Sequence, residues 1–250
     1  MKLIVIGSSS AGNCYALDSG KDILLLEAGI RHSLMTKAIG FRDDQVIACC
    51  VSHVHLDHAK YLEEYSKRGT HVFCNDDVAD KKKMMFGGYE VLQPFKTIKA
   101  GLFDIAAVPL HHSNNDGSDC PNYGYIIKHP DMGILFFGSD TYKYNTYFTN
   151  IDHWLIEANY DDRLLKANVQ DGKIDRAQAN RLMLSHMSLD NTVHYLHECQ
   201  AENSQTIILC HLSERNSDPD MFRKRVAGEF GVPVYVAQKG LVVELNKNII

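Results

Sequence analysis

The sequence predicts an α/β (α+β) chain, and three observations carry that expectation. Apolar runs of strand length recur from one end to the other, as at residues 1–7, 46–51, 104–110 and 206–210. Stretches with helical spacing lie between them. Strand after strand also ends in His, Asp or Glu, which is how a metal site is mounted on a rigid sheet scaffold. At 250 residues the chain is expected to form a single domain, 1–250, with ample core of its own.

Taken in order, the first strand (1–7) runs into Gly7-Ser8-Ser9-Ser10-Ala11-Gly12-Asn13, a loop of small residues. No Gly-Lys-Ser/Thr follows and no helical pattern starts there, so it is not a nucleotide-binding P-loop. Residues 15–17 and 23–26 read as a hairpin around Asp18-Ser19-Gly20-Lys21-Asp22, closed by Glu27-Ala28-Gly29. A helix is expected over 31–39, stopped by Gly40. The apolar run 46–51 is a buried strand that empties into Ser52-His53-Val54-His55-Leu56-Asp57-His58, with a helix after it over 59–67.

That stretch carries the chemistry. His53 and His55 are two apart and point the same way while the chain stays extended. Asp57 and His58 follow as it turns. A polar loop that happens to hold histidines is the plain alternative, but three imidazoles and a carboxylate within six residues are the mixed N and O donors that zinc and similar ions take.

Further on, 71–74 is a short strand and 76–85 a helix stopped by Gly87-Gly88. Strand 104–110 delivers His111-His112-Ser113, and the following Asn114 to Asp119 form a loop. Residues 123–128 and 133–137 make a hairpin ending in Gly138-Ser139-Asp140. Strand 153–157 ends at Glu157. Ser185-His186-Met187-Ser188 then opens a helix over 189–199, with Ser188 as N-cap and Leu189, Val193 and Leu196 on its apolar face. Strand 206–210 hands over His211. A helix over 219–230 and strands at 232–236 and 241–245 complete the chain, with no internal repeat or linker.

Composition narrows the classes. The net charge of −5 gives no global positive field to hold nucleic acid by counterion release. Lys81-Lys82-Lys83, the one lysine run, reads as a solvated helix face. The opening residues are too short for a signal peptide, and no apolar run approaches the roughly 20 residues of a membrane span. Seven cysteines, an odd number without Cys-x-x-Cys, are expected as buried free thiols in a reducing cytosol, so the expected location is cytoplasmic.

The motif His53-x-His55-x-Asp57-His58, a later His after a strand, Asp140 after Gly-Ser and His211 after a strand together resemble the metallo-β-lactamase fold superfamily across essentially the whole chain. The resemblance implies a four-layer αββα sandwich with a dinuclear site at one edge of paired sheets. It implies His53, His55 and His112 on one metal, Asp57, His58 and His211 on the other, and Asp140 bridging. His111 and His112 compete for one ligand position; the family pattern Pro-apolar-x-His, met by Pro109-Leu110-His111-His112, favours His112. Two divalent ions, Zn²⁺ or alternatively Mn²⁺, about 3.5–4 Å apart can hold a hydroxide that attacks a phosphoryl or carbonyl centre. Asp57 is then the group to orient that hydroxide or take its proton.

Ser185-His186-Met187-Ser188 followed by Cys210-His211-Leu212-Ser213 is similar to the ribonuclease Z and YycJ branch. In that branch the earlier His acts as general acid, steadied by an acidic residue, which implies these roles for His186 and Glu157; a capping or core histidine is the plain alternative for His186. The loop from Gly7 to Cys14 and the run Leu212-Ser213-Glu214-Arg215-Asn216 also resemble YycJ-type proteins. Glu27 departs from the family's usual Asp.

The branch implies phosphodiester hydrolysis. No segment is long and basic enough to act as an RNA-gripping arm, so a small diester is the favoured substrate over a polyanionic strand. That points to the anti-Pycsar phosphodiesterases, encoded by phages among others, which are homodimers that open 3′,5′-cyclic nucleotides (cCMP, cUMP, cAMP, cGMP). Tyr123, Tyr142, Tyr144 and Asn114 are candidates to line a base pocket, with packing roles as the alternative. A YycJ-like DNA or RNA exonuclease, and a non-phosphodiester hydrolase or metal-binding regulator on the same fold, are the competing classes.

Overall fold

Successive side chains on a strand face opposite ways, and in this chain both faces of the central strands are apolar. Leu24 and Leu26 join one buried cluster, while their neighbours Ile23 and Leu25 join another. Ile208 and Cys210 likewise alternate with Ile207 and Leu209. Strands apolar on both faces must be covered on both sides, which forces a layered architecture.

The computed structural model describes residues 1–82, 88–114 and 116–247. The first sheet contains β1 (Lys2–Gly7), β2 (Cys14–Asp18), β3 (Ile23–Leu26), β4 (Val46–Cys50), β5 (Val72–Cys74), β6 (Tyr89–Val91) and β14 (Val242–Glu244). Their order is β14-β1-β2-β3-β4-β5-β6. The second contains β7 (Thr97–Ala100), β8 (Phe103–Leu110), β9 (Asn122–His129), β10 (Gly133–Gly138), β11 (His153–Glu157), β12 (Thr206–Cys210) and β13 (Val234–Val236). Their order is β13-β12-β11-β10-β9-β8-β7.

A cluster including Leu3, Tyr15, Tyr125, Phe137 and Leu155 fills the space between the sheets. Outside the first sheet, α1 (His32–Ala38), α3 (Leu62–Lys67) and α4 (Asp76–Lys81) contribute Met35, Leu62, Tyr65 and Val78. Outside the second, α7 (Leu189–Glu198) and α8 (Pro219–Phe230) bring Leu189, Val193, Phe222 and Val226 onto Trp154 and Ile207. The result is the four-layer αββα sandwich.

Strands β3 to β6 are parallel, as are β10 to β13. β8 is antiparallel to β9, and β9 to β10, so β8 runs with β10. Their C-terminal ends therefore gather at one edge, where open α/β sheets place their ligands.

The expected helix over 59–67 is broken into α2 (Leu56–Ala59) and α3, so Asp57 and His58 lie in a helical turn and not ahead of it. Continuing α2 would require the Asp57 and His58 carbonyls as acceptors. Instead they accept from the N–H groups of Asn13 and Ala28, both at 2.7 Å, and the Tyr61 N–H donates to Ala28 O. The approach depends on Gly29: a Cβ there would sit 1.8 Å from the Asp57 carbonyl oxygen.

Edge strands β6 and β7 and the helices α5 (Asp162–Gln170) and α6 (Arg176–Ser185) were not anticipated from the sequence. Both helices are N-capped by aspartates, Asp161 and Asp175, yet they bury only a small cluster of Tyr160, Leu165, Ile174 and Ala179. Such a sparse apolar stripe leaves little periodic signal. The helix expected over 76–85 is seen as α4, with Lys82 as its C-cap, and residues 83–87 lie outside the described residues. Lys81 pairs with Asp77 at 3.0 Å as expected of a solvated face. All seven cysteines are free and buried. Among the described residues no helix is long and apolar enough to cross a membrane.

Candidate metal centre and active site

Each expected ligand follows a strand or opens the turn after one. Ser52 and His53 leave β4, His112 leaves β8, Asp140 leaves β10, Glu157 ends β11 and His211 leaves β12. Among the described residues, ligand atoms lie within 4.8 Å of one another in three overlapping groups. One is His53, His55, His112 and Asp140; the second is Asp57, His58, Asp140 and His211; the third is Asp140, Glu157, His186 and His211. All nine residues given metal or catalytic roles from the sequence are thus brought together, and Asp140 is common to every group.

The first group is rich in imidazole. His112 donates from Nδ1 to the Ser185 carbonyl at 3.2 Å. His55 donates from Nε2 to the Asn114 amide oxygen at 3.1 Å, and that amide is oriented by its NH₂ donating to the Asp119 carbonyl. The remaining nitrogens, His55 Nδ1 and His112 Nε2, therefore present lone pairs to each other across 3.0 Å. Burial pushes the His53 imidazole well below its ordinary value and the His112 imidazole down to about 4. Protonating His112 is thus an expensive way to relieve the contact. His53 Nδ1 is 2.9 Å from the Ser52 hydroxyl, while its Nε2 is buried with no hydrogen-bond partner. An orphaned buried nitrogen beside two opposed lone pairs is the donor set a divalent cation satisfies.

The second group is rich in carboxylate. Asp140 turns one oxygen to each half: Oδ1 lies 3.2 Å from His58 Nε2 and 3.1 Å from His211 Nδ1, and Oδ2 lies 3.9 Å from His53 Nε2 and 3.7 Å from His112 Nε2. Asp57 Oδ2 sits 3.2 Å from His211 Nε2 and 3.3 Å from His58 Nε2. Behind His58, Glu27 comes within 3.4 Å of Nδ1 and accepts from the Ser52 N–H. Its position is that of a supporting residue, so the Asp-to-Glu departure leaves the cluster assembled.

Burial alone would raise the carboxyls of Asp57, Asp140 and Glu157, yet the adjacent imidazoles hold all three below the ordinary range. Burial alone would lower His58, His186 and His211. The facing carboxylates win instead: His58 is held well above its ordinary value, His211 rises to about 10, and Glu157 raises His186. A cation entering this half displaces protons, whereas burial already keeps His53 and His112 of the first half unprotonated.

His186 Nδ1 lies 2.7 Å from Glu157 Oε1, which also sits 2.9 Å from His211 Nδ1. The other oxygen of Glu157 accepts from the Thr141 and Met187 N–H groups, which fixes the carboxylate. His186 lines a cavity of about 470 Å³ with His55, Leu56, Asp57, His112, Asp140 and His211. His111 points elsewhere, its Nε2 against the Asn145 amide, and belongs to none of the three groups.

Of the four suggested base contacts, Tyr144 is buried against Tyr195 and Tyr123 donates to Leu92 O, so both pack away from the cavity. Asn114 supports His55, and Tyr142 lines an adjoining hollow. Supporting residues missed from the sequence are Asn13, which lies 3.1 Å from His58 Nε2, and Asn159, which donates to the His211 carbonyl at 2.7 Å. Ser8, expected only as part of the small-residue first loop, accepts from the His211 N–H through its hydroxyl. The available signal was position, since Asn159 follows β11 and Asn13 precedes β2.

The fold is found in known proteins. YhfI from Bacillus subtilis, a metallo-β-lactamase fold protein, superposes with a TM-score of 0.75 at 20% identity, covering 97% of this chain and 99% of that one. The short form of human tRNase Z superposes at 0.64 with 13% identity, covering 99% and 100%. In sequence, the exodeoxyribonuclease WalJ of Streptococcus pneumoniae is 22% identical over 229 residues, which covers 86% of this chain and 83% of WalJ. The metallo-beta-lactamase superfamily model matches residues 9–165, a span that holds every cluster residue except His186 and His211. With its two-sheet sandwich and its His/Asp cluster suited to divalent ions, the chain belongs to the metallo-β-lactamase superfamily and is a hydrolase of that family.

Proposed function

We propose that the protein is a phosphodiesterase that uses two divalent ions to open 3′,5′-cyclic nucleotides to linear nucleoside monophosphates. The observation that carries this reading is Asp140, whose two oxygens face the two halves of the cluster. His53, His55, His112 and Asp140 would hold one ion, and Asp57, His58, His211 and Asp140 the other. Zn²⁺ suits the imidazole-rich donor set, and Mn²⁺ tolerates it. Bound ions supply Lewis acidity, which acidifies water and stabilises charge on phosphoryl oxygens.

The chain supplies the rest. Asp57, kept ionised and facing the cavity, accepts a hydrogen bond from the attacking water and orients it. His186, with Nδ1 committed to Glu157, is left with Nε2 to give a proton to the leaving oxygen. Glu157 favours the charged imidazole needed for that transfer. The cavity of about 470 Å³ suits a small molecule, and the net negative chain is ill suited to gripping a strand. A cytoplasmic homodimer, phage-encoded and directed against cyclic-nucleotide immune signals, is part of the same proposal.

The similarity to WalJ favours a second reading, a DNA exonuclease on the same residues. Incubating the protein with cCMP, cUMP, cAMP, cGMP and DNA, with Mn²⁺ or Zn²⁺, separates the two. Conversion of a cyclic nucleotide to its linear monophosphate, abolished in Asp57→Ala, is the expected result. Release of mononucleotides from DNA, with no cyclic nucleotide consumed, would overturn it.

A further inference from the structure

We infer that Tyr142, Arg181 and Leu184 form a nucleobase subsite beside the cluster, taking the nucleoside carried by the leaving oxygen. The inference rests on the phosphodiesterase reading for its placement. A hollow of about 180 Å³ lined by these three side chains adjoins the main cavity, and Ser113 and Ser185 wall both. Ser113 follows His112 and Ser185 precedes His186, so the hollow opens on the side from which His186 would protonate the departing oxygen. Whatever that oxygen carries is directed there.

The chemistry of the hollow suits a flat heterocycle with carbonyl groups. Leu184 exposes 62% of its surface, a large apolar side chain left facing solvent at the mouth of a cavity. Tyr142 presents a half-buried ring, flanked by His111 at 5.9 Å and Lys143 at 5.5 Å. Arg181 precedes Leu184 by three residues on α6, which puts both side chains on one helix face. Among the described residues its guanidinium has no ion pair or hydrogen bond. A planar fork of donors next to an aromatic ring and an apolar wall can stack a base and read its carbonyl oxygens.

Equilibrium binding to the metal-loaded protein tests the subsite. Uridine monophosphate should bind about tenfold tighter than ribose 5-phosphate, the scale of one stacked base. Tyr142→Ala and Arg181→Ala should each erase that preference, leaving ribose 5-phosphate binding unchanged, and Tyr142→Phe should keep it. The two alanine variants should also raise KM for nucleotide diesters while metal content stays unchanged, since neither residue belongs to the ligand groups. An intact preference in both alanine variants, or an equal weakening of both ligands, would overturn the subsite. A wild-type protein that binds the nucleotide preferentially but cleaves no phosphodiester would overturn the reaction and leave the subsite standing.

Discussion

The strand-end cluster and the α5–α6 hairpin bound the same cavity but are built in opposite ways. The cluster hangs from strands whose last residues, among them Leu26, Cys50, Glu157 and Cys210, are fully buried. Three residues at those ends, Glu27, Asp140 and His211, hold left-handed backbone, with φ of 70°, 52° and 53°. Each such conformation costs a non-glycine residue about 1–3 kcal/mol and persists only where its surroundings over-determine it. The hairpin is secured by its own small cluster around Leu165 and leaves Met183 and Leu184 exposed. Rigid strand ends fix where charge and proton donors sit; a lightly packed cover is free to vary in what it admits. On the proposed function, the reaction falls to one region and the choice of ligand to the other.

Glu157→Gln bears hardest on that division, because this residue holds His186 and His211 from the cluster side. Loss of its charge should cut kcat by about 10²-fold or more, with the deficit larger for poor leaving groups that need a proton. Glu157 raises His186, so removing its charge lowers the pH above which the proton donor is lost. The alkaline limb of the rate profile should move to lower pH. An unmoved limb would show that His186 does not act through Glu157.

Leu165→Ala probes the other region with a smaller effect. Compared with Ile208→Ala, which opens a cavity between the sheets and should cost about 2–5 kcal/mol of global stability, it should barely move the thermal midpoint. Its mark should be faster hydrogen exchange over residues 162–185 and a KM raised a few-fold, with metal content unchanged. A loss of stability equal to that of Ile208→Ala would mean that the hairpin folds as one unit with the sandwich.

The same contrast governs what could be read from the sequence. The cluster residues were legible because they sit just after apolar runs such as 46–51 and 206–210, where a chemical signature and a strand end coincide. The choice of His112 over His111 followed from a family pattern, and the structure places His112 alone in the cluster. Helices α5 and α6 were not legible, since Leu165 and Ala179 are too few to give a helical period. The break between α2 and α3 was hidden for another reason: it is imposed by Asn13 and Ala28, more than 25 residues away in sequence.

The central claim is that the cluster holds two ions of unlike surroundings and is inert without them. Titrating the metal-free protein with Zn²⁺ or Mn²⁺ in a calorimeter, while following diester hydrolysis, tests it most directly. Two ions per chain are predicted, with proton release accompanying the ion bound by Asp57, His58 and His211, activity appearing only on loading, and one ion remaining in His53→Ala. A single ion in the wild-type protein, or hydrolysis that survives complete chelation, would contradict it.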